Sequence, residues 1–275
     1  MQKFDFKADK NKCIHCGLCI EDCIANVITM DENNIPTAAF PQNCIKCQHC
    51  MAVCPAGAIS ILGKNPDNSE KIIPPNPEMV LNLIKSRRSD RNYKNESIDS
   101  VVINKLKDML SWVPTGCNWH KLHFSIIEDI EVMDEFRNIT NSKIIEALTT
   151  KPIDIVKNNF SGYLKYLERG EDIIFRNAPH IIVVSNDINA PCAKEDAIIA
   201  LSYFELYAQS LNIGTCWCGF CQACLNIFPE LTAYLEIPDG YKPQYVMLFG
   251  KKGKSYSRTT QPEKVNITNV CKKGL

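Results

Sequence analysis

The sequence predicts an α+β protein in two parts: a small cysteine-rich domain over residues 1–63, and a larger domain over residues 78–275 built on a central sheet flanked by helices. Three observations lead there. Eight of the 15 cysteines crowd into residues 13–54. A proline-rich stretch, GKNPDNSEKIIPPNP from Gly63 to Pro77, has the composition of a linker, assigned here to residues 64–77. Beyond it, β-rich runs alternate with segments of helical period, the pattern of a sheet covered by helices.

Composition narrows the function. Lys+Arg and Asp+Glu are equal at 31 each, so no net field draws the chain to nucleic acid or an anionic membrane. Residues 1–11 are polar and charged, unlike a secretory signal, and a cytoplasmic location is expected. The most apolar long stretch, Ala197–Ile213, is broken by Glu205, Gln209 and Asn212 and is too short to span a bilayer. An odd number of cysteines in such a chain argues for metal ligation over a disulfide framework.

In chain order, the first element is a pair of cysteine runs. Cys13-Ile-His-Cys16-Gly-Leu-Cys19-Ile-Glu-Asp-Cys23 and Cys44-Ile-Lys-Cys47-Gln-His-Cys50-Met-Ala-Val-Cys54-Pro55 are both C-x2-C-x2-C-x3-C and repeat at an offset of 31 residues. Two spacer residues let a loop curl three thiolates onto one four-iron core. The fourth Cys, about a helical turn on, faces the other core. The expected ligand sets are therefore Cys13, Cys16, Cys19 and Cys54 for one [4Fe–4S] cluster, and Cys23, Cys44, Cys47 and Cys50 for the other. Residues 9–63 resemble the bacterial two-cluster ferredoxins, which carry electrons singly.

Asn76-Pro77-Glu78 reads as a helix start: N-cap, first-turn proline, early acid. Ser97 precedes a second helix, with Ile98, Val101, Val102, Leu106, Met109 and Leu110 at helical period. LHFSIIE from Leu122, HIIVVS from His180 and QYVMLF from Gln244 read as strands. Cys192–Asn212 is apolar on more than one face, a core or interface helix ending at Gly214. No glycine-rich nucleotide loop is present.

Four segments carry a resemblance. Arg87-Arg88-Ser89-Asp90-Arg91-Asn92-Tyr93 is similar to the opening motif of the FMN-dependent nitroreductase family. Pro114 to Phe124, Leu211 to Gly219, and Phe249-Gly250 with Tyr256-Ser257-Arg258 resemble its later motifs, in family order. The resemblance implies FMN held by Arg87, Arg88 (mainly through its backbone), Ser89, Arg91, Thr115 and Arg258. It also implies Asn118 at the polar edge of the flavin ring and the backbone amides of Cys218 and Gly219 near its N5. An anionic phosphate calls for such arginine forks. His120 and Lys121-Leu122 depart from the family pattern. Cys218, Cys221 and Cys224 spell C-x2-C-x2-C; structural thiols are expected there, since a third cluster would need Cys192, Cys216 or Cys271 as well.

The resulting expectation is an oxidoreductase passing electrons from two [4Fe–4S] clusters to FMN and on to a small oxidised acceptor, a nitroaromatic, quinone or similar. The donor is a low-potential one: ferredoxin, flavodoxin or NAD(P)H. The resemblance implies a homodimer. The alternatives are an NAD(P)H-dependent FMN reductase with the clusters as outlet, and a non-catalytic carrier or redox sensor. No His or carboxylate stands out as a proton donor, so the catalytic residues are unassigned.

Overall fold

The computed structural model describes residues 4–270. The chain divides into two compact units. The first is the chain up to Pro74 together with Thr115–His120; the second is Pro75–Pro114 and the chain from Lys121 onward.

The first unit is a duplicated framework. Its strands β1 (Phe6–Ala8), β2 (Ile28–Met30), β3 (Pro36–Ala38) and β4 (Ile59–Ile61) form two antiparallel pairs, β1 with β4 and β2 with β3. Between them lie single-turn helices α1 (Leu18–Glu21) and α2 (His49–Ala52). The 31-residue repeat reappears in the backbone. His15 and Lys46, Gly17 and Gln48, and Asn26 and Gly57 are all left-handed. The amide of Val27 donates to Cys23 Sγ at 3.3 Å, as that of Ala58 does to Cys54 Sγ at 3.2 Å. Val27, Ile28, Ile59, Ile61 and Leu62 make the core, with Cys19 and Cys50 buried among them.

The second unit has a four-stranded antiparallel sheet in the order β5-β6-β8-β7. Its elements in chain order are α3 (Pro77–Ser86), α4 (Ser100–Met109), β5 (Leu122–Ile127), α5 (Ile130–Thr149), α6 (Asp154–Phe160), α7 (Leu164–Leu167), β6 (His180–Asp187), α8 (Ala193–Ser210), β7 (Ile213–Trp217), α9 (Gly219–Ile227), α10 (Pro229–Tyr234) and β8 (Tyr241–Lys251). Strand β6 is buried on both faces, which explains its unbroken apolar run. Ile182 and Val184 face α4 and α8, packing with Leu106, Leu201 and Phe204. Ile181 and Val183 face the other layer, with Phe136, Ile144, Leu225 and Leu231. The α+β architecture with helices on both sides of a central sheet is the one the sequence predicts.

Local chemistry sets the helix boundaries. Asn76 caps α3 as expected, its Oδ1 accepting from the amides of Glu78 (2.9 Å) and Met79 (3.3 Å). The cap of α4 is Asp99 rather than Ser97: its carboxylate accepts from Val101 N–H at 2.8 Å, and Ile98 is buried ahead of the helix. Helix α8 ends at Ser210, and Asn212, at φ 59°, takes the left-handed turn. Gly214, expected as the helix end, lies instead in β7. A Cβ there would come within 2.9 Å of the Asp90 side chain, so close approach demands glycine. Within residues 64–76 the regular structure is one short turn, Pro66–Asn68. No helix is long and apolar enough to cross a membrane among the described residues.

Candidate functional site

In the first unit, Cys13, Cys16, Cys19 and Cys54 line one cavity, together with Pro36, Ala58 and Ile59. Cys23, Cys44, Cys47 and Cys50 line another, with Phe6, Val27 and Ile61. Each set draws three cysteines from one run and the fourth from the other. Burial pushes the Cys50 thiol up to about 12, with Cys47, Cys44 and Cys23 as electrostatic neighbours adding to the rise. Cys19 is raised by burial first and then by Cys54, Cys16 and Cys13. Four thiols that cannot all ionise side by side are the donor set that iron satisfies, because the metal's charge replaces their protons. The residues fit a four-thiolate cluster in each cavity.

In the second unit the cationic turn after α3 is pinned to the sheet. Asp90 N–H donates to Thr215 O at 2.8 Å, and Lys94 N–H to Lys251 O at 3.0 Å. Ser89 pairs with Thr215 of β7, and Tyr93 with Lys252 beyond β8. Arg88 folds its guanidinium back onto the carbonyls of Lys85 (2.8 Å) and Arg87 (2.6 Å), closing the C-terminal end of α3. Its Nη2 is buried without a hydrogen-bond partner. Arg87 Nη1 donates to Glu205 Oε1 at 3.1 Å. This uses one arm of a five-donor fork, so the rest can meet an anion. Arg91 is exposed, its Nη1 3.5 Å from Ser89 O. Arg258 lies in exposed irregular chain after β8.

Glu205 is a residue sequence reasoning passed over. Its side chain is 8% exposed and accepts from Arg87, from Trp217 Nε1 (3.2 Å) and from Thr215 Oγ1 (3.4 Å). The available signal was a lone carboxylate within the long apolar stretch Ala197–Ile213, a position a charge occupies only with partners. Asp90 is buried alongside, and burial raises its carboxyl while Lys252 draws it back.

Strand β7 runs straight into α9, and this junction corrects one expectation. The Cys218 amide is spent on Val246 O at 2.9 Å, because Cys218 still belongs to the sheet ladder. The amides of Gly219 and Phe220 stand at the first two helical positions, where a helix offers no carbonyl, so they are the donors available to a ligand.

Thr115 and Asn118 fall in the first unit. Thr115 Oγ1 accepts from His120 N–H at 2.9 Å. Asn118 donates through Nδ2 to Ile45 O at 2.8 Å, and its Oδ1 is 2.7 Å from His120 Nε2. Cys117, Asn118 and His120 all have positive φ. Both polar ends of Asn118 are thus engaged within this unit. His120, standing where the family carries Gln, is the second of these partners.

Known proteins match both units. Residues 84–251, more than half of the chain, match the nitroreductase family, and residues 12–58 match the 4Fe-4S dicluster domain. The chain belongs to the nitroreductase family. Ahead of that fold it carries a ferredoxin domain with two [4Fe–4S] clusters. Ferredoxin-3 of a Nostoc species is 34% identical over 70 residues, covering 19% of this chain and 72% of that one. Archaeal-type glutamate synthase (NADPH) of Dehalococcoides mccartyi is 29% identical over 83 residues, and the match spans 30% of this chain but 16% of that protein. Among solved structures, a nitroreductase with bound FMN from Bacteroides fragilis superposes with TM-score 0.56 at 23% identity, covering 72% of this chain and 100% of that one. Another with bound FMN, from Desulfitobacterium hafniense, gives TM-score 0.56 at 25% identity over 70% and 97%. A ferredoxin domain joined to a nitroreductase makes this chain an oxidoreductase that transfers electrons.

Proposed function

We propose that this nitroreductase is an FMN-dependent enzyme in which electrons enter at the clusters and leave to a small oxidised acceptor, a nitroaromatic, quinone or similar. The observation that carries the reading is the presence, on one chain, of two four-cysteine cavities and a sheet-pinned arginine turn. FMN when bound supplies the conversion between one-electron iron–sulfur chemistry and two-electron organic chemistry. The chain's own residues do the rest. Cys13, Cys16, Cys19 and Cys54 hold one cluster, and Cys23, Cys44, Cys47 and Cys50 the other. Arg87, Ser89 and Arg91 present donors to the phosphate, with Arg258 added from the tail. Gly219 and Phe220 offer amides to the electron-rich edge of the reduced ring. A low-potential donor of ferredoxin type loads the clusters, the location is cytoplasmic, and the working form is a homodimer. The dimer is supported by Met79 and Ile84 of α3, 72% and 53% exposed, which a helix of a monomer would bury.

Anaerobic stopped-flow absorbance tests the wiring. With a reduced ferredoxin-type donor, flavin in the full chain is reduced rapidly. In a Cys54→Ser chain that has lost a ligand it is reduced more slowly, with FMN content unchanged. Equal rates would remove the clusters as the entry route, and bleaching by NAD(P)H alone at the same speed would place entry at the flavin.

A further inference from the structure

The start of α9 holds a second piece of sulfur chemistry that cluster ligation does not use. Cys218 is the N-cap residue of α9, and Cys221 stands three residues on, at its third helical position. The cap is made by sulfur: Cys221 N–H donates to Cys218 Sγ at 3.4 Å. The backbone of Cys218 is non-helical, at φ −114° and ψ 80°, which turns its side chain over the first turn toward the Cys221 side chain. Cys218 Sγ also lies 3.4 Å from the Ile174 carbonyl. That carbonyl belongs to a loop held by Asp172, which accepts from Arg137 Nε and from the amides of Phe175 and Asn177, each at 2.8 Å.

We propose that Cys218 and Cys221 form a redox-active dithiol that closes to a disulfide across the first turn of α9, delivering an electron pair to a small hydroperoxide. The geometry selects this pair from the cysteines around it. A disulfide needs Cβ atoms about 3.5–4.5 Å apart. Cys221 and Cys224 are both inside the helix, where residues three apart have Cβ atoms about 5–6 Å apart. Cys216 and Cys218 alternate along extended chain, at roughly 3.3 Å of rise per residue, again too far. Only the non-helical cap residue can swing its sulfur onto the turn. The two thiols are also unequal: hydrogen bonds from Cys221 lower Cys218 against the cost of burial, while Cys221 is raised well above the ordinary thiol range. Cys218 is therefore the attacking sulfur and Cys221 the resolving one.

The balance is closed. Cys218 sulfur attacks the peroxide O–O bond, releasing an alcohol and becoming a sulfenic acid. Cys221 sulfur then displaces that hydroxyl, so one S–S bond forms and water leaves. The two thiols lose two electrons and two protons; the hydroperoxide gains them. A thiol restores the pair by exchange. Cys218 is 4% exposed and Cys221 fully buried, which excludes a protein disulfide as partner and leaves a small reagent such as a hydroperoxide.

The test uses the full chain under anaerobic conditions with one equivalent of hydrogen peroxide, acid quench, alkylation of denatured protein and peptide mapping. The expected result is loss of two alkylatable thiols in a peptide that joins Cys218 to Cys221, reversed by dithiothreitol and unchanged in Cys224→Ser. In Cys221→Ser, Cys218 should stop at a sulfenic acid that dimedone traps. Wild-type protein that keeps both thiols free, or pairs either with Cys216 or Cys224, overturns the proposal, and this arm needs no variant to fold. FMN released from the same samples is measured separately, so a chain without flavin would sink the flavin reading and leave the dithiol result standing.

Discussion

Replacing Glu205 by Ala should cost the second unit about 3 kcal/mol, at the lower end of the range for breaking a buried ion pair. The side chain is 8% exposed and receives three donors, at 3.1 Å from Arg87, 3.2 Å from Trp217 and 3.4 Å from Thr215. A hydrogen bond to a charged group contributes about 1.5–3 kcal/mol, and stranding each neutral donor adds a share of its desolvation. The sum is held down because the Arg87 side chain is 35% exposed, and water takes up part of the released guanidinium. At about 2–4 °C per kcal/mol for a unit of this size, the melting temperature should fall by roughly 6–12 °C. Far-UV circular dichroism during heating, with urea unfolding at 25 °C alongside, measures it. A double-mutant cycle with Thr215→Val should show coupling of at least about 0.5 kcal/mol. A Glu205→Ala chain melting within 1 °C of wild type would show that the three contacts hold nothing in place.

Anaerobically purified protein should contain about eight iron and eight sulfide per chain, from two four-iron clusters; Cys23→Ser should deplete the cluster on Cys44, Cys47 and Cys50, seen by iron count and electron paramagnetic resonance. Gly214→Ala should destabilise by about 1–3 kcal/mol through its clash with Asp90, measured by urea midpoint. His180 is buried, accepts from Ile98 N–H at Nε2 (3.2 Å), and burial holds its pKa below the ordinary value. Above pH 6.5 both folded and unfolded states are neutral there and the residue contributes no slope. Below it the unfolded state binds the proton first, so stability should fall with pH by at most about 1.4 kcal/mol per unit until the folded histidine also titrates. His180→Gln should flatten that limb in a urea series from pH 7.5 to 5.

Sequence made some of this legible for identifiable reasons. The cysteine runs repeat with a period of 31, and a thiolate's distance from its own loop decides which cavity it faces, so the sets around each cavity followed from spacing. Asn76-Pro77 announced α3 because capping is a local interaction. The longer-range features were silent. Asp99 caps α4 in place of Ser97 because burial of Ile98 pulls the preceding backbone out of the helix. Gly214 looked like a helix end until the approach of Asp90, far off in sequence, gave it a different purpose. Strand β7 hid inside a motif of Gly, Thr and Cys, residues whose strand character comes from pairing with β8. The Asn118 partners, Ile45 and His120, and the donors to Glu205 are tertiary facts no local pattern announces.

The exchanged fourth cysteine has a consequence for how the N-terminal unit comes into being. Cys23 reaches from the first repeat into the cavity of the second, and Cys54 reaches back. Neither half can finish its own metal site: in a chain emerging from synthesis the second cavity is complete at Cys50, while the first, begun at Cys13, waits for Cys54. Once both are filled, the two cores lock the halves together like interlaced fingers. Stripping iron from one side unfastens the other, so oxidative injury to a single core should spread through the whole unit.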